Sequence, residues 1–389
     1  MRDEGDVNLR HLAAFLRPDL GEIVPPDPAT RVPAGLACAG VHGCLSLLYV
    51  NLKRHGLLAR LPPAVVEALK GAHFRDTARY LRHRHCLRRI LTLLAEAEVE
   101  TVLLKGAATF CDELYGDPGA RPMGDLDILV PEGQKERARR VLLAGRFHEE
   151  CPPDEVLAGD VFDARHHHLP PFYDARHRVM VELHFRVCYG QGDRILPPSR
   201  VWDGREAVVW EGCETAVPSP TDRVLHNVVH ALKKEYIAAN VNLMQVTEFA
   251  WLVHRYRDRI DWEAVFTPCQ RQGYRTPLLA YLVLARALFG VETPLAARAG
   301  GWARWNARRL AMGLALSVPG QVRGWRESLW RRGLMAYYRL NLLPWTWENV
   351  CYAPGRRHLP ARIGCLARKL PKGLKAWRNP DYDSRLERL

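Results

Sequence analysis

The sequence predicts an α+β protein in which a small mixed sheet with helices is flanked by two helical regions. Residues 1–98 and 216–389 carry apolar side chains at helical spacing, whereas residues 99–215 alternate short apolar strands with helices. We therefore predict three regions with these boundaries: an N-terminal helical region, an α/β core and a C-terminal helical domain.

The N-terminal region is predicted to contain three helices. The first covers residues 8–16 and stops before Pro18, because proline cannot continue a helix. The second covers residues 37–58, and a long third helix runs from residue 64 towards residue 98 after a pair of prolines.

The same patterns predict the strands and helices of the core and of the C-terminal region. In the core we predict strands over residues 101–104, 126–130, 147–150, 167–172 and 179–187, and helices over 107–115 and 132–144. A further short strand or hairpin is predicted over 202–210. Ser219 begins a helix-capping pattern, so we expect C-terminal helices over residues 223–234, 242–256, 262–272, 277–289 and 303–316.

Two aspartates at the start of the second predicted strand are the main candidates for a functional site. Side chains alternate along a strand, so Asp125 and Asp127 point to the same side. Two carboxylates this close repel each other unless a cation lies between them or one keeps its proton. Magnesium prefers carboxylate and phosphate oxygens, so this pair is suited to a metal–nucleotide complex.

A phosphate-binding element is predicted at the junction between the first strand and the first helix of the core. Lys105 and Gly106 stand at this junction, where a glycine lets a phosphate approach the backbone N–H groups at a helix start. Arg121 lies four residues before Asp125 and adds a fixed positive charge suited to phosphate.

Glu182 is the candidate third carboxylate. Alternation along residues 179–185 places Met180, Glu182 and His184 on one face of the strand. A glutamate in such an apolar run costs free energy unless it is paired or bound to a metal. The alternative is an edge strand with Glu182 facing water, and we favour the functional interpretation because two further carboxylates are available.

Histidines provide weaker signals. The triplet 166–168 resembles a zinc-binding tract, but the hard carboxylates favour magnesium, so His168 is interpreted as a pocket residue or proton carrier. His226, His230 and Lys233 share one face of a helix. Contact with phosphate or base and a buried interface with satisfied histidines both remain open for that face.

The pattern K-G…Y-G-x-x-x-x-R-P-M-G-D-L-D-I-L-V resembles the uncharacterised nucleotidyltransferase-like family, which belongs to the DNA polymerase β-type nucleotidyltransferase superfamily. Its layout is also similar to that of nucleotidyltransferase toxins of bacterial abortive-infection and toxin–antitoxin systems. The resemblance is close over residues 95–190 and looser to about residue 260. V-E-L-H-F resembles the second motif of the family, and Glu248 with Gln245 resembles a recurrent acidic position. Lys105-Gly106 replaces the usual Gly-Ser of the superfamily.

This resemblance implies a polymerase-β-like core and transfer of a nucleoside monophosphate from an NTP, with ATP favoured, to an acceptor with release of pyrophosphate. It implies Mg²⁺ or Mn²⁺ as cofactor, and Asp125, Asp127 and Glu182 as catalytic metal ligands. The residues expected to bind the nucleotide or its phosphates are Lys105, Gly106, Arg121, His168, His184 and His230.

The acceptor is left open between a small molecule, a peptide or protein, and RNA. The alternative function is a nucleotide-binding partner without turnover, acting in a peptide-modifying or toxin–antitoxin system. The intact pair Asp125 and Asp127, with Glu182 available, favours an enzyme over such a partner.

Composition places limits on the class of protein. The net charge of +13 over 389 residues favours nucleotides, RNA or an anionic membrane surface as partners, although an Arg-rich composition alone explains it equally well. The ten cysteines form no C-x-x-C pair, which argues against a zinc ribbon and fits a reducing cytoplasm. No signal peptide or transmembrane segment is predicted, whereas the basic stretch 361–378 could lie on a membrane surface.

Overall fold

The computed structural model describes residues 4–22, 26–149, 166–188, 190–233 and 241–316. The basic stretch 361–378 lies outside the described residues.

The described residues form thirteen α-helices, which we number in chain order. The helices of the N-terminal region and of the core are α1 (Glu4–Phe15), α2 (Pro28–Val41), α3 (Leu45–Arg54), α4 (Pro63–Glu96), α5 (Lys105–Asp112), α6 (Lys135–Ala144), α7 (Gln191–Ile195) and α8 (Pro198–Asp203). The C-terminal helices are α9 (Pro220–Lys233), α10 (Leu243–Tyr256), α11 (Trp262–Arg271), α12 (Arg275–Phe289) and α13 (Gly301–Leu316).

The described strands form one mixed sheet of seven strands in the order β3-β4-β5-β2-β1-β7-β6. Their bounds are β1 (Val102–Leu103), β2 (Asp125–Leu129), β3 (His148–Glu149), β4 (Phe172–Asp174), β5 (Val179–His184), β6 (Glu206–Trp210) and β7 (Cys213–Val217). β2 runs parallel to β5, and β1 runs parallel to β7, whereas the other neighbours are antiparallel. The predicted α+β architecture with a small mixed sheet is confirmed.

Two predicted strands were placed wrongly. The strand expected over 167–172 begins only at Phe172, because Pro170 and Pro171 lack the N–H that a ladder needs. The element expected over 202–210 divides, since Trp202 lies in α8 and only β6 is extended. β6 pairs with β7 across a two-residue turn at Glu211 and Gly212, which both have positive φ.

Several predicted helices begin or end at other residues. α5 begins at Lys105 rather than at residue 107, so both Lys105 and Gly106 belong to its first turn. It ends where Glu113 adopts a left-handed conformation with φ of 49°. The capping pattern at Ser219 is confirmed, because its hydroxyl accepts a hydrogen bond from the backbone N–H of Asp222, and α9 begins at Pro220.

The two faces of the sheet have different surroundings. Leu126 and Ile128 of β2 alternate with the aspartates and lie in a core with Val181 and Leu183 of β5. α4 and α6 contribute buried side chains to this same core. The opposite face therefore carries Asp125, Asp127 and Glu182, which places the candidate site on one side of the sheet.

A second core joins the N-terminal helices to the C-terminal helices. The indole N–H of Trp251 in α10 donates to the carbonyl oxygen of Leu16 at 3.0 Å. The backbone N–H of Leu243 donates to Nδ1 of His42 at 3.3 Å. These contacts bring the turn between α2 and α3 next to α10, and both elements border the site described below.

The division at residues 98 and 215 stays a prediction. No helix among the described residues combines the length and apolar character needed to cross a membrane.

Candidate active site

The parallel register of β2 and β5 brings the three predicted carboxylates to one face. Asp127 lies directly opposite Glu182, and Asp125 lies opposite Met180 one step earlier along the strands. Directly paired residues on neighbouring strands point to the same side, so Asp127 and Glu182 are neighbours. Asp127 is only 2% exposed, whereas Asp125 and Glu182 are half-buried.

Lys105 provides the positive charge closest to Asp127. Its Nζ lies 2.6 Å from Oδ1 of Asp127, and both side chains are largely buried. Burial alone lowers the pKa of Lys105, but the Asp127 carboxylate outweighs it and holds the pKa above its usual value. The backbone of Lys105 has φ of 45°, a conformation that costs a non-glycine residue about 1 to 2 kcal/mol. The backbone is therefore strained at the residue that carries the ammonium group next to Asp127.

His184 connects Asp127 to Glu182. Its Nε2 lies 2.9 Å from Oδ1 of Asp127 and 3.3 Å from Oε2 of Glu182, while Nδ1 lies 3.3 Å from the carbonyl oxygen of Arg186. All three partners accept hydrogen bonds, so the ring donates from both nitrogens and carries a positive charge. Burial opposes this charge, but the bonds to the two carboxylates raise the pKa of His184.

The acids respond differently to this environment. Burial opposes ionisation of Asp127, yet Lys105 and His184 hold its pKa well below the usual value. Burial and the neighbouring Asp127 charge raise the pKa of Asp125 to about 6. For Glu182, burial again opposes ionisation, and the hydrogen bond from His184 lowers the pKa. The cluster thus keeps two carboxylates ionised and leaves a third near its titration point.

The donor set of this cluster fits a divalent cation. Ligand atoms of Asp127, Glu182 and His184 all lie within 4.8 Å of one another. The carboxylate oxygens suit Mg²⁺, and a ring nitrogen of His184 also suits Mn²⁺ once the imidazolium has lost a proton. Asp125 shares the face of the sheet but lies outside this group of three.

Arg121 fills the space above Gly106. A Cβ at Gly106 would collide with Nη1 of Arg121, so the guanidinium would have to move to admit it. The guanidinium also donates through Nε to Oε2 of Glu248 in α10 at 2.7 Å, and the hydroxyl of Tyr115 reaches the same oxygen at 3.4 Å. The glycine therefore makes room for an arginine that ties the core to a C-terminal helix.

A cavity of about 490 Å³ opens beside Lys105. Its walls come from the turn between α2 and α3, the start of α5, the segment around Arg121, and the helices α9 and α10. It is large enough for a small-molecule ligand. Lys105 lines the cavity and contacts Asp127 at the same time, so the cavity adjoins the carboxylate cluster.

Comparison with known proteins identifies the family of the chain. The family model described as "Uncharacterised nucleotidyltransferase" matches residues 28–290, more than half of the chain. The chain belongs to this family. The crystal structure of an antigenic nucleotidyltransferase-like protein from Paracoccidioides brasiliensis is also similar, with 13% identity and a TM-score of 0.32, over 54% of this chain and 96% of the other. No curated protein matches the chain.

The predicted membership of the nucleotidyltransferase family is therefore confirmed, whereas the roles of individual residues stay predictions. Lys105, Asp127 and His184 lie together, and His168 is close, with Nε2 3.9 Å from Oε1 of Glu182. His230 lies apart from them on the cavity wall in α9, where Nδ1 is 2.7 Å from Nε2 of Gln245.

The sequence gave no signal for other residues of the candidate site. Arg223 in α9 lines the cavity and forms a buried ion pair with Asp112 at the end of α5, and Tyr256 contacts both. His42 reaches the cavity from the turn after α2. These residues are distant from the D-x-D motif in sequence, and only the packing of the helices brings them together.

Proposed function

We propose that the protein is a metal-dependent nucleotidyltransferase that moves a nucleoside monophosphate from an NTP, with ATP favoured, to an acceptor. The observation that carries this proposal is the face of β2 and β5, where Asp127 and Glu182 meet next to Lys105 and a ligand-sized cavity. Membership of the nucleotidyltransferase family supports the reaction class. The acceptor class stays open between a small molecule, a peptide and RNA.

Asp127, Glu182 and Asp125 are assigned to hold Mg²⁺ or Mn²⁺. When bound, such a cation neutralises the triphosphate and stabilises the departing pyrophosphate. Lys105 and His184 keep Asp127 ionised and fix its orientation before any ligand arrives. This preorganisation is the main contribution that protein groups make to phosphoryl-type transfers.

The chemical step requires an acceptor oxygen, a proton acceptor and a leaving group. The acceptor oxygen forms a bond to the α-phosphorus, and the bond from that phosphorus to the bridging oxygen breaks to release pyrophosphate. We assign Glu182 and His168 to receive the acceptor proton. Burial lowers the pKa of His168, so the ring is neutral at pH 7 and able to accept it. Lys105 is assigned to the phosphates at the carboxylate cluster. The phosphate role expected for Arg121 stays a prediction, because its guanidinium is already paired with Glu248 on the cavity wall.

The test follows the α-phosphate. Purified protein is incubated with each α-labelled NTP, MgCl₂ or MnCl₂, and panels of small molecules, peptides and tRNA, and both labelled product and pyrophosphate are measured. Lys105→Ala should weaken NTP binding as well as rate, because it removes a phosphate contact from the ground state. The exposed Lys70→Ala serves as a matched control.

Two outcomes would change the proposal. Tight NTP binding without pyrophosphate release in any panel favours the alternative of a nucleotide-binding partner without turnover. Equal NTP affinity in Lys105→Ala and wild type removes Lys105 from the nucleotide site.

A further inference from the structure

The cations that line the cavity are already neutralised. Lys105 is paired with Asp127 at 2.6 Å, and Arg121 is paired with Glu248 at 2.7 Å. Arg223 forms its buried ion pair with Asp112. Among the described residues, each lysine or arginine of the cavity wall therefore has its own carboxylate, so these residues leave little surplus positive charge in the cavity despite the net charge of +13 of the whole chain.

The buried histidines of the cavity do not add charge at neutral pH. Burial lowers the pKa of His42 to about 4. Burial, with a further contribution from Lys105, lowers the pKa of His226 well below its usual value. A triphosphate would lose its hydration in this cavity without gaining an unpaired lysine or arginine from the walls that the structure describes, which is unfavourable.

The cavity instead presents neutral hydrogen-bonding groups held in fixed orientations. Nε2 of Gln245 donates to Nδ1 of His230 at 2.7 Å and faces the backbone oxygen of Asn227 at 3.4 Å. These two acceptors orient the amide, so Oε1 of Gln245 is its acceptor group and the proton of neutral His230 lies on Nε2. The pair combines an acceptor and a donor on one wall of the cavity.

This wall is rigid because three helices are bonded together behind it. The side chain of Asn227 in α9 donates to the backbone oxygen of Gln245 in α10 at 3.1 Å. Its Oδ1 accepts from the hydroxyl of the buried Tyr281 in α12 at 2.9 Å. Groups fixed in this way lose little conformational entropy when a ligand binds.

We propose that the cavity holds the nucleoside part of the NTP and that Gln245 and His230 read the edge of its base, while the triphosphate lies outside at the carboxylate cluster. This inference rests on the proposed function. A base edge presents hydrogen-bond donors and acceptors side by side, which a donor and acceptor pair on a rigid wall can match. Val41, Met244 and Leu252 supply apolar surface in the same cavity.

The test measures how the protein ranks nucleotides, without requiring transfer. Affinities for ATP, GTP, CTP, UTP and inorganic tripolyphosphate are measured by calorimetry in MgCl₂ with the full chain. Wild type should prefer one NTP, and Gln245→Leu should reduce the ratio between the best and worst NTP about tenfold or more. Its affinity for tripolyphosphate should change less than twofold.

Control variants make the result specific. Gln270→Leu makes the same substitution at an exposed position of α11 and should keep the wild-type ranking. Gln245→Glu retains the shape but exchanges the amide nitrogen for a carboxylate oxygen. It should also alter the ranking of the NTPs, and it takes the place of Gln245→Leu in the test if that variant does not fold.

Three results would overturn the inference: no preference in wild type, an unchanged ranking in both Gln245 variants, or an equal loss for all four NTPs and tripolyphosphate. An unchanged ranking of the NTPs would mean that the cavity binds the acceptor substrate. An equal loss of affinity for all five ligands would mean that the phosphates lie in the cavity. If wild type ranks the NTPs but transfers nothing to any acceptor, the proposed function fails while this inference stands.

Discussion

The carboxylate cluster and the adjoining cavity are both built from buried ion pairs, but their charge balance differs. In the cluster, Asp125, Asp127 and Glu182 share two cationic side chains, Lys105 and His184. In the cavity, each of Lys105, Arg121 and Arg223 has one carboxylate. The first region therefore has an excess of acids, whereas the second is close to neutral.

This difference in charge balance supports the proposal that the two regions bind different parts of one ligand. An excess of buried carboxylates is stabilised by a metal cation, and a metal in turn attracts phosphate oxygens. A neutral polar wall discriminates by hydrogen bonds instead. Lys105 belongs to both regions, so it marks the boundary at which the phosphates and the nucleoside would meet.

The largest effect on activity is expected for Asp127→Asn, which removes one carboxylate from the cluster, where the excess of acids is proposed to bind the metal. Transfer should fall on the order of 10³-fold, because an amide keeps the shape but not the charge that holds a metal. Pyrophosphate release and Mg²⁺-dependent NTP affinity are measured together, with circular dichroism as the fold control. Release at the wild-type rate would exclude Asp127 as a metal ligand.

Glu248→Gln should act on stability, because it leaves the cation Arg121 without its carboxylate. We expect a loss of about 2 to 3 kcal/mol in the free energy of unfolding, measured by urea denaturation. Glu263→Gln is the matched control, since Glu263 pairs with Arg298 at 2.5 Å on the surface, where both side chains are more than 40% exposed. That change should cost less than about 1 kcal/mol. Equal effects of the two variants would mean that the buried pair contributes no more than the exposed one.

Gly106→Ala tests whether the space above the glycine is needed for Arg121. The new methyl group would displace a guanidinium that Glu248 holds, so we expect a loss of about 2 kcal/mol in stability. Gly133→Ala is the control, because no atom lies within 4 Å of the Cβ that it adds. Thermal melting compares the two, and a Gly106→Ala protein as stable as Gly133→Ala would show that Arg121 moves aside freely.

Much of the carboxylate face was predictable because it depends on local regularities. The two-residue period of a strand places Asp125 and Asp127 on one side, and the same period places Glu182 with His184. Their meeting depends on the parallel pairing of β2 with β5, which no local pattern predicts. The family resemblance implied only that the three acids act together as metal ligands. The partner of Lys105 was not foreseen, since the sequence pattern indicated phosphate and the structure places its ammonium group on Asp127.

The cavity was much less predictable because its walls come from segments far apart in the chain. Arg121 and Glu248 are separated by 127 positions, and no periodicity links them. The phosphate role of Gly106 stays a prediction, and the space that Gly106 leaves for Arg121 had no signal in the sequence. Pairing of this kind is fixed by how α9 and α10 pack on the core, which a single sequence does not reveal.

The smallest effect is expected for Asp125→Asn in the metal-free protein, and it depends on pH. The folded pKa of Asp125 is about 6, above its usual value of 3.8, so the folded state binds more protons than the unfolded state between these values. This group therefore makes the protein less stable as pH rises from about 4 to about 6. Asp125→Asn removes that loss, so at pH 7.5 it should be more stable than wild type by about 1 kcal/mol, with no difference below pH 3.5. The melting temperatures of both proteins are measured in EDTA across this pH range. Other groups that titrate there affect both proteins equally, so the difference between the two melting temperatures reports Asp125 alone. A wild type that gains stability relative to Asp125→Asn as pH rises would mean that Asp125 has a cationic partner of its own, and the excess of acids in the cluster would be smaller than the structure indicates.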